Sequence, residues 1–434
     1  MLRTPAALLA ASLALVFAVP SSVLAQDPAE SRQKVKMIRE MAKQGSDAVN
    51  GLGQYLGDSD WTVRLEAVKA LDEIGGPRTV EPLIRATRDN DPEVQIRATD
   101  GLLNVYLPGY LKTGISGTLQ RAGNSIRAKF SDGNDQVIDA YVRVPPDVVE
   151  SLGRVARGGA SMEARANAAR AVGILRGRGA ISDLVDALHS KDTQVMYESL
   201  IALQKIGDPS AAPRVAFLLR DLDEKIQTEA LETVGLLHDR GSAGDVRDAL
   251  EHARNIKIRR AAVSALGMIA DPADHALFLR YLADKDEALR AAGAEGLARL
   301  KNLADRPVVE KAFMDEHSVS PRLSMGFAVA SLGNLDVSEF GGYRYLIKGL
   351  NLKTYRGVAL ALLTELMRQA AARQAAYPLL NTASRDEKTG LAIVLARSGD
   401  KDSVPILEAL SMDTDPEVAQ EGIRDLRSLK ARLP

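Results

Sequence analysis

The sequence predicts an all-α protein, a right-handed α-solenoid of about eleven helical hairpins with one non-repeat insertion. Three observations predict it. The first is an echo with a period near thirty-one residues: from Val63, equivalent positions fall at Val94, Ala164, Val195, Ile226, Ile258, Leu289, Pro321, Tyr355, Glu387 and Val418. The second is a column three positions before each anchor: Asp60, Asp91, Ser161, Asp192, Asp223, Asn255, Asp286, Ser318, Leu352, Ser384 and Asp415. All but Leu352 are N-cap residues, whose side-chain oxygen accepts an orphan amide hydrogen of the first helical turn. The third is a pair eight and eleven positions after the anchor, from Leu71 and Ile74 to Leu426 and Leu429, apolar throughout except for Ser398, with a mostly small residue at offset four. That spacing marks one buried stripe of a helix. A unit this short cannot bury its stripe alone, so neighbours must stack.

Between the capped helices lies a shorter apolar run, as in Val80–Ile84, Ala212–Leu218 and Val404–Leu410. Pro82, Pro213 and Pro405 suit its first helical turn, where a missing N–H costs nothing. Gly75, Gly207, Gly333 and Gly399 follow the capped helix, where a left-handed residue commonly ends it. Each unit therefore reads as helix A, tight turn, capped helix B. This pattern resembles the HEAT-repeat family over roughly residues 46–103 and 146–431. The short period and the Asp-x-x-Val-Arg-x-x-Ala pattern of Asp60, Val63, Arg64 and Ala67 are most similar to the phycobilisome-lyase type of HEAT-like repeat. The resemblance implies a fold and leaves activity open, because such solenoids host unrelated functions.

The ends and the composition bound the rest. Arg3, the apolar run Ala6–Val19 and the Val23-Leu24-Ala25 cleavage pattern read as a signal peptide (1–25), placing the mature chain in the periplasm or outside the cell. The run is too short to span a bilayer, and no other segment is long and apolar enough. With Ala25 as the last residue removed, a capping helix is expected in 26–45, repeats one and two in 46–105, the insertion in 106–145 and repeats three to eleven in 146–434. The absence of cysteine excludes disulfides and thiolate metal sites. A formal charge of −1 with interspersed signs, and an aromatic content of 4%, disfavour nucleic acid.

Two breaks interrupt the period. Val94 and Ala164 stand seventy residues apart, and the extra segment carries Lys112, Arg121, Arg127 and Lys129 with no acid between Gly109 and Ser131. It reads either as a flap covering the side of the solenoid or as a basic lid for an anionic partner or lipid headgroups. Val137–Val144 alternates weakly, as a strand or an extended cover would. The second break, between Gly333 and Thr354, gathers Phe340, Tyr343 and Tyr345 with Tyr355 just beyond, as junction packing or as an interface anchor.

Chemistry finds little support. A basic residue follows the anchor at Arg64, Arg165, Arg259, Arg290, Arg322, Arg356 and Lys388, suited to a ladder of charge-assisted bonds between repeats. His189 and His252 share a repeat position but lie two repeats apart, too far to share a metal. Deoxyhypusine hydroxylase, an enzymatic member of the resembled family, holds iron through His-Glu dipeptides, and this sequence contains none. No catalytic residue, metal site or cofactor is expected. The reading is a non-catalytic exported scaffold binding a protein or peptide along its concave face, where helix B would expose Tyr197, Ile201, Arg260, Leu323 and Phe327. Peripheral contact with the envelope is compatible with it. The alternatives are an enzyme of the HEAT-like lyase type and a purely structural envelope component.

Overall fold

The computed structural model describes residues 28–109 and 136–433. Among them are twenty-three α-helices and no strand: one N-terminal helix, Pro28–Ala42, followed by eleven helical hairpins. The inner helices pack on one another in an unbroken series, while the shorter outer helices, such as Val80–Ala86 and Ile181–Ala187, pack mainly on their flanks. The protein is an α-solenoid.

The caps are where the sequence put them. Side-chain oxygens of Asp60, Asp91, Ser161, Asp192, Asp223, Asn255, Asp286, Ser384 and Asp415 accept backbone N–H groups of the following turn. Ser384 and Glu387 form a full capping box. Ser318 stands at its expected cap but gives its hydroxyl to Glu287 instead (2.8 Å). In the ninth repeat, where Leu352 has no capping oxygen, the helix starts late, at Arg356 behind Tyr355.

The stripe at offset eight forms the spine of the core. Leu71, Leu102, Val172, Leu203, Val234, Leu266, Leu297, Val329, Leu363 and Leu395 are all buried, and only Leu426 in the last helix is partly open. Pro28–Ala42 covers the open face of the first repeat, burying Ile38 and pairing Lys34 with Asp58 (3.0 Å).

The stack runs on past the insertion. Gln95 in the second repeat accepts from the Ala160 amide (2.8 Å), and Asn167 donates to Asp100 (2.9 Å), so repeats two and three pack directly. The described end of the insertion, residues 136–145, is an irregular cover and not a strand. The Ile138 amide bonds the Ile174 carbonyl (3.0 Å), and Ile138 is buried. Asp139 receives Arg424 of the final helix, Pro416–Arg432, at 3.0 Å across 285 residues of sequence. The solenoid thus curves far enough for its eleventh repeat to meet the edge of its third. Beside this clasp, Asp425 is buried with Oδ2 unpartnered, and burial together with Glu421 pushes its carboxyl up to about 8 against the pull of Arg424 and Arg397.

At the second break, Tyr343 is fully buried and donates to the Ala372 carbonyl (2.7 Å), while Tyr345 meets Phe313 edge-on (5.8 Å). Packing explains both. Phe340 alone points out, 81% exposed.

Candidate binding cleft on the inner face

Curvature of the inner layer begins with a column of small residues at offset nine. Gly173, Gly235 and Gly267 lie there, with Gln204 interrupting the column in the fourth repeat and Ala298 and Ala330 following in the seventh and eighth. A Cβ on Gly173 would stand 2.7 Å from the Ala202 Cα, and one on Gly235 would stand 2.8 Å from the Ala265 Cα. Such contacts are closer than side chains permit, so these glycines let neighbouring inner helices approach at their C-terminal ends. The helices fan, and their ends converge.

Where the ends of five successive inner helices meet, from Glu224–Leu236 to Arg356–Leu366, they enclose a cleft of about 340 Å³. Ile269, Ala298, Phe327 and Leu366, all buried, form its apolar side, with Met268 beside them. Arg299 crosses the floor. It skips one repeat to make a bidentate contact with Glu365 (2.9 Å at both nitrogens), bonds Glu295 (3.2 Å) and lies 5.7 Å over the Phe327 ring. Burial works against this charge, but Glu295 and Glu365 outweigh it and hold the guanidinium above its ordinary pKa. The cleft is lined by four Lys or Arg cations (Arg240, Arg299, Lys301, Arg368) and one carboxylate, Glu365.

A chain of polar pairs occupies the inner face on the N-terminal side of this cleft. Arg170 grips Glu198 (2.5 and 3.1 Å), and Gln204 donates to Glu229 (2.6 Å). Lys225 sits 3.5 Å over the Tyr197 ring. Glu229 is pushed up to about 7, first by burial and then by Glu232, against Gln204 and Lys225.

The sequence-derived candidates separate into three groups. Lys112, Arg121, Arg127 and Lys129 lie outside the described residues. Tyr197 and Arg260 reach the surface, Tyr197 beneath Lys225 and Arg260 in a bidentate pair with the cap residue Asp286 of the next repeat. Ile201, Leu323 and Phe327 correct the expectation: they are 6%, 0% and 2% exposed, not open positions of the concave face. Each inner helix is flanked on both sides by its neighbours as well as backed by an outer helix, so its solvent strip is narrower than that of a helix packed on one side only. Phe327 nevertheless lines the cleft from below.

The basic column after the anchor links repeats at three of its seven positions by ion pairs. Arg64 holds Asp89 (2.7 and 2.8 Å), Arg290 holds Glu316 (2.6 and 3.2 Å) and Lys388 holds Asp413 (2.7 Å). Arg356 reaches the next repeat through the Asp386 carbonyl (3.0 Å) and the Thr389 hydroxyl (2.9 Å). Arg322 stacks on Phe313 and Tyr345 instead, Arg165 bonds within its own repeat at the Ala156 carbonyl (3.2 Å), and Arg259 is exposed. Among the described residues, no group of three His, Asp or Glu side chains is placed to hold a metal ion. No described helix is long and apolar enough to cross a membrane.

A family model described as HEAT repeats matches residues 22–102, 149–235 and 211–298, more than half of the chain. The protein belongs to the HEAT-repeat family. No curated protein matches the sequence. Among solved structures, this HEAT-repeat chain is similar to the complex of CpcE and CpcF of phycocyanin lyase from Nostoc sp. PCC7120, at 18% identity and a TM-score of 0.36, over 62% of this chain and 92% of that one. It is similar to an engineered protein at 20% identity and a TM-score of 0.32 (88% and 98% covered). Importin beta matches at 14% identity and a TM-score of 0.36, over 94% of this chain and 71% of that one.

Proposed function

We propose that this HEAT-repeat protein is a non-catalytic scaffold, exported from the cytoplasm, that binds a protein partner on its inner face. One observation carries the reading: the inner helices converge on a cleft that pairs an apolar side with a cationic rim, the composition of a recognition site. Several polar groups on the inner face are paired with one another, as in Arg170 with Glu198 and Arg299 with Glu365, which supports positioning of the array over proton transfer.

Site-specific photocrosslinking in the native host tests this. A benzophenone amino acid at Gln369, on the cleft, should yield one or a few discrete protein adducts. The same probe at Met314, exposed on an outer helix, should not. Equal labelling from both sites, or none from Gln369, would refute a partner on the inner face.

A further inference from the structure

Every inner helix from the third repeat to the eighth is followed, one or two residues on, by a residue of positive φ, and the occupants differ; the third uses Arg176 (φ 49°), away from the cleft. The fourth and eighth repeats use Gly207 (φ 67°) and Gly333 (φ 93°), for which this conformation is free of Cβ strain. The fifth, sixth and seventh use His238 (φ 54°), Ala270 (φ 56°) and Lys301 (φ 56°), where a side chain makes the left-handed region unfavourable. All three line the cleft. At His238 and Lys301 a polar side chain is thus kept at the rim of the cleft in a conformation that glycine would adopt without strain.

The cations at the mouth make no direct salt bridge, although Arg240 acts through space on Asp271. Among the described residues, Arg240, Lys301 and Arg368 make no ion pair, although many other Lys and Arg side chains do. The nearby acids are occupied: Asp239 caps the following turn and accepts from Ser242, and Asp271 is held by Arg247 and the Ala273 amide. His238 Nδ1 is tied to the Met268 carbonyl (2.8 Å), which fixes the ring at the rim. The result is a cleft of about 340 Å³ with positive side chains at its mouth and an apolar side beside the Arg299-crossed floor, small for a folded domain but suited to one large side chain and its flanking backbone.

We infer that the cleft is the docking site for an extended acidic peptide segment. One apolar side chain of that segment would lie on Met268, Phe327 and Leu366, and its carboxylates would face Arg240, Lys301 and Arg368. This rests on the partner-binding reading of the inner face and names the partner's chemistry. The occupant is argued from charge complementarity: cations ring the mouth, and the one carboxylate in the lining, Glu365, is neutralised by Arg299.

The test uses the full chain and a fluorescein-labelled peptide of alternating Asp and Glu around a central Phe, read by fluorescence anisotropy. Binding should weaken about tenfold or more in the Lys301→Glu/Arg368→Glu double variant, and should weaken with added salt. Replacing the probe's Phe by Ser should also weaken it, since the floor then has no partner. Two further variants separate strain from recognition. Arg176→Gly, at the left-handed position of the third repeat away from the cleft, should hold or raise the melting temperature and leave binding unchanged. Lys301→Gly should hold or raise the melting temperature while binding falls, a combination that a merely structural lysine would not give. Inorganic phosphate and a single-stranded oligonucleotide should compete poorly. Unmeasurable binding of the probe, equal binding by the Ser version, or full affinity in the double variant would overturn the inference. So would preferred binding of the oligonucleotide. If the probe fails while Gln369 still crosslinks to a protein, the acidic-peptide chemistry is wrong and the inner-face reading survives. If Gln369 gives no adduct while the probe binds as described, the reverse holds.

Discussion

Replacing Glu229 by Gln should stabilise the protein above neutral pH and do nothing at low pH. In the folded chain Glu229 is partly buried on the inner face, facing Glu232, Glu198, Lys225 and Gln204, and its carboxyl is pushed up from 4.5 to about 7. Between those two values the folded state keeps a proton that the unfolded chain has already released. Stability therefore falls as pH rises through this window and levels off above it. At about 1.4 kcal/mol for each pH unit, the whole window is worth about 3 kcal/mol, an upper figure because water can reach part of the side chain. Gln cannot ionise, and its amide oxygen can still accept from Gln204, as Glu229 does at 2.6 Å. The measurement is urea unfolding of both proteins at closely spaced pH values. Their difference should be near zero at pH 4.5 and grow to about 2–3 kcal/mol by pH 8. The difference curve is the readout, since the raised Asp425 adds its own slope to both proteins. A flat difference, or a variant less stable at pH 8, would show that the carboxylate is charged and well solvated in the folded state.

Three other outcomes follow from the same structure. Leu266→Ala, at a fully buried spine position, should cost about 2–5 kcal/mol, with hydrogen exchange rising first in the sixth repeat and its neighbours. Because the chain has no cysteine, Asp139→Cys with Arg424→Cys offers one specific pair of thiols. A short bis-maleimide should link them within one molecule, whereas Asp139→Cys with Met314→Cys should stay unlinked, as peptide mass spectrometry will read. If the leader is cleaved as its sequence proposes, N-terminal sequencing of protein from the native host should begin at Gln26.

The fold was legible because its determinants are local and repeated. A capping oxygen such as Asp91 or Asn255 acts within its own turn, and Leu71 or Leu203 at offset eight needs only a helix and a neighbour to be buried. Even the late start at Arg356 has its sign in the sequence, in the missing cap at Leu352. Exposure on the inner face was less legible. Tyr197 and Arg260 reach the surface, but Ile201, Leu323 and Phe327 do not, because burial there depends on how closely successive inner helices approach. The cleft went unseen for a related reason. Its lining comes from residues roughly thirty apart, brought together only by the summed curvature of five repeats. Two signals could have found it: the small column at Gly173, Gly235 and Gly267, and the side chains of His238 and Lys301 standing where Gly207 and Gly333 stand elsewhere.

The contact between Asp139 and Arg424 turns an open series into a closed tally. In a row of stacked units with loose ends, an error in the tilt of one unit is simply carried outward and lost. Here the ninth unit after the insertion must land on a mark set by the third repeat, so the tilts between them have to sum to a fixed total. A degree gained at one junction has to be surrendered at another or the mark is missed. Repeats five to nine, which build the cleft, lie inside that constrained span, and repeats one and two lie outside it. Substitutions in the first two repeats are thus free to alter local angle without consequence for closure. The small residues at Gly235 and Gly267 are not, because whatever they change is read at the far end of the molecule.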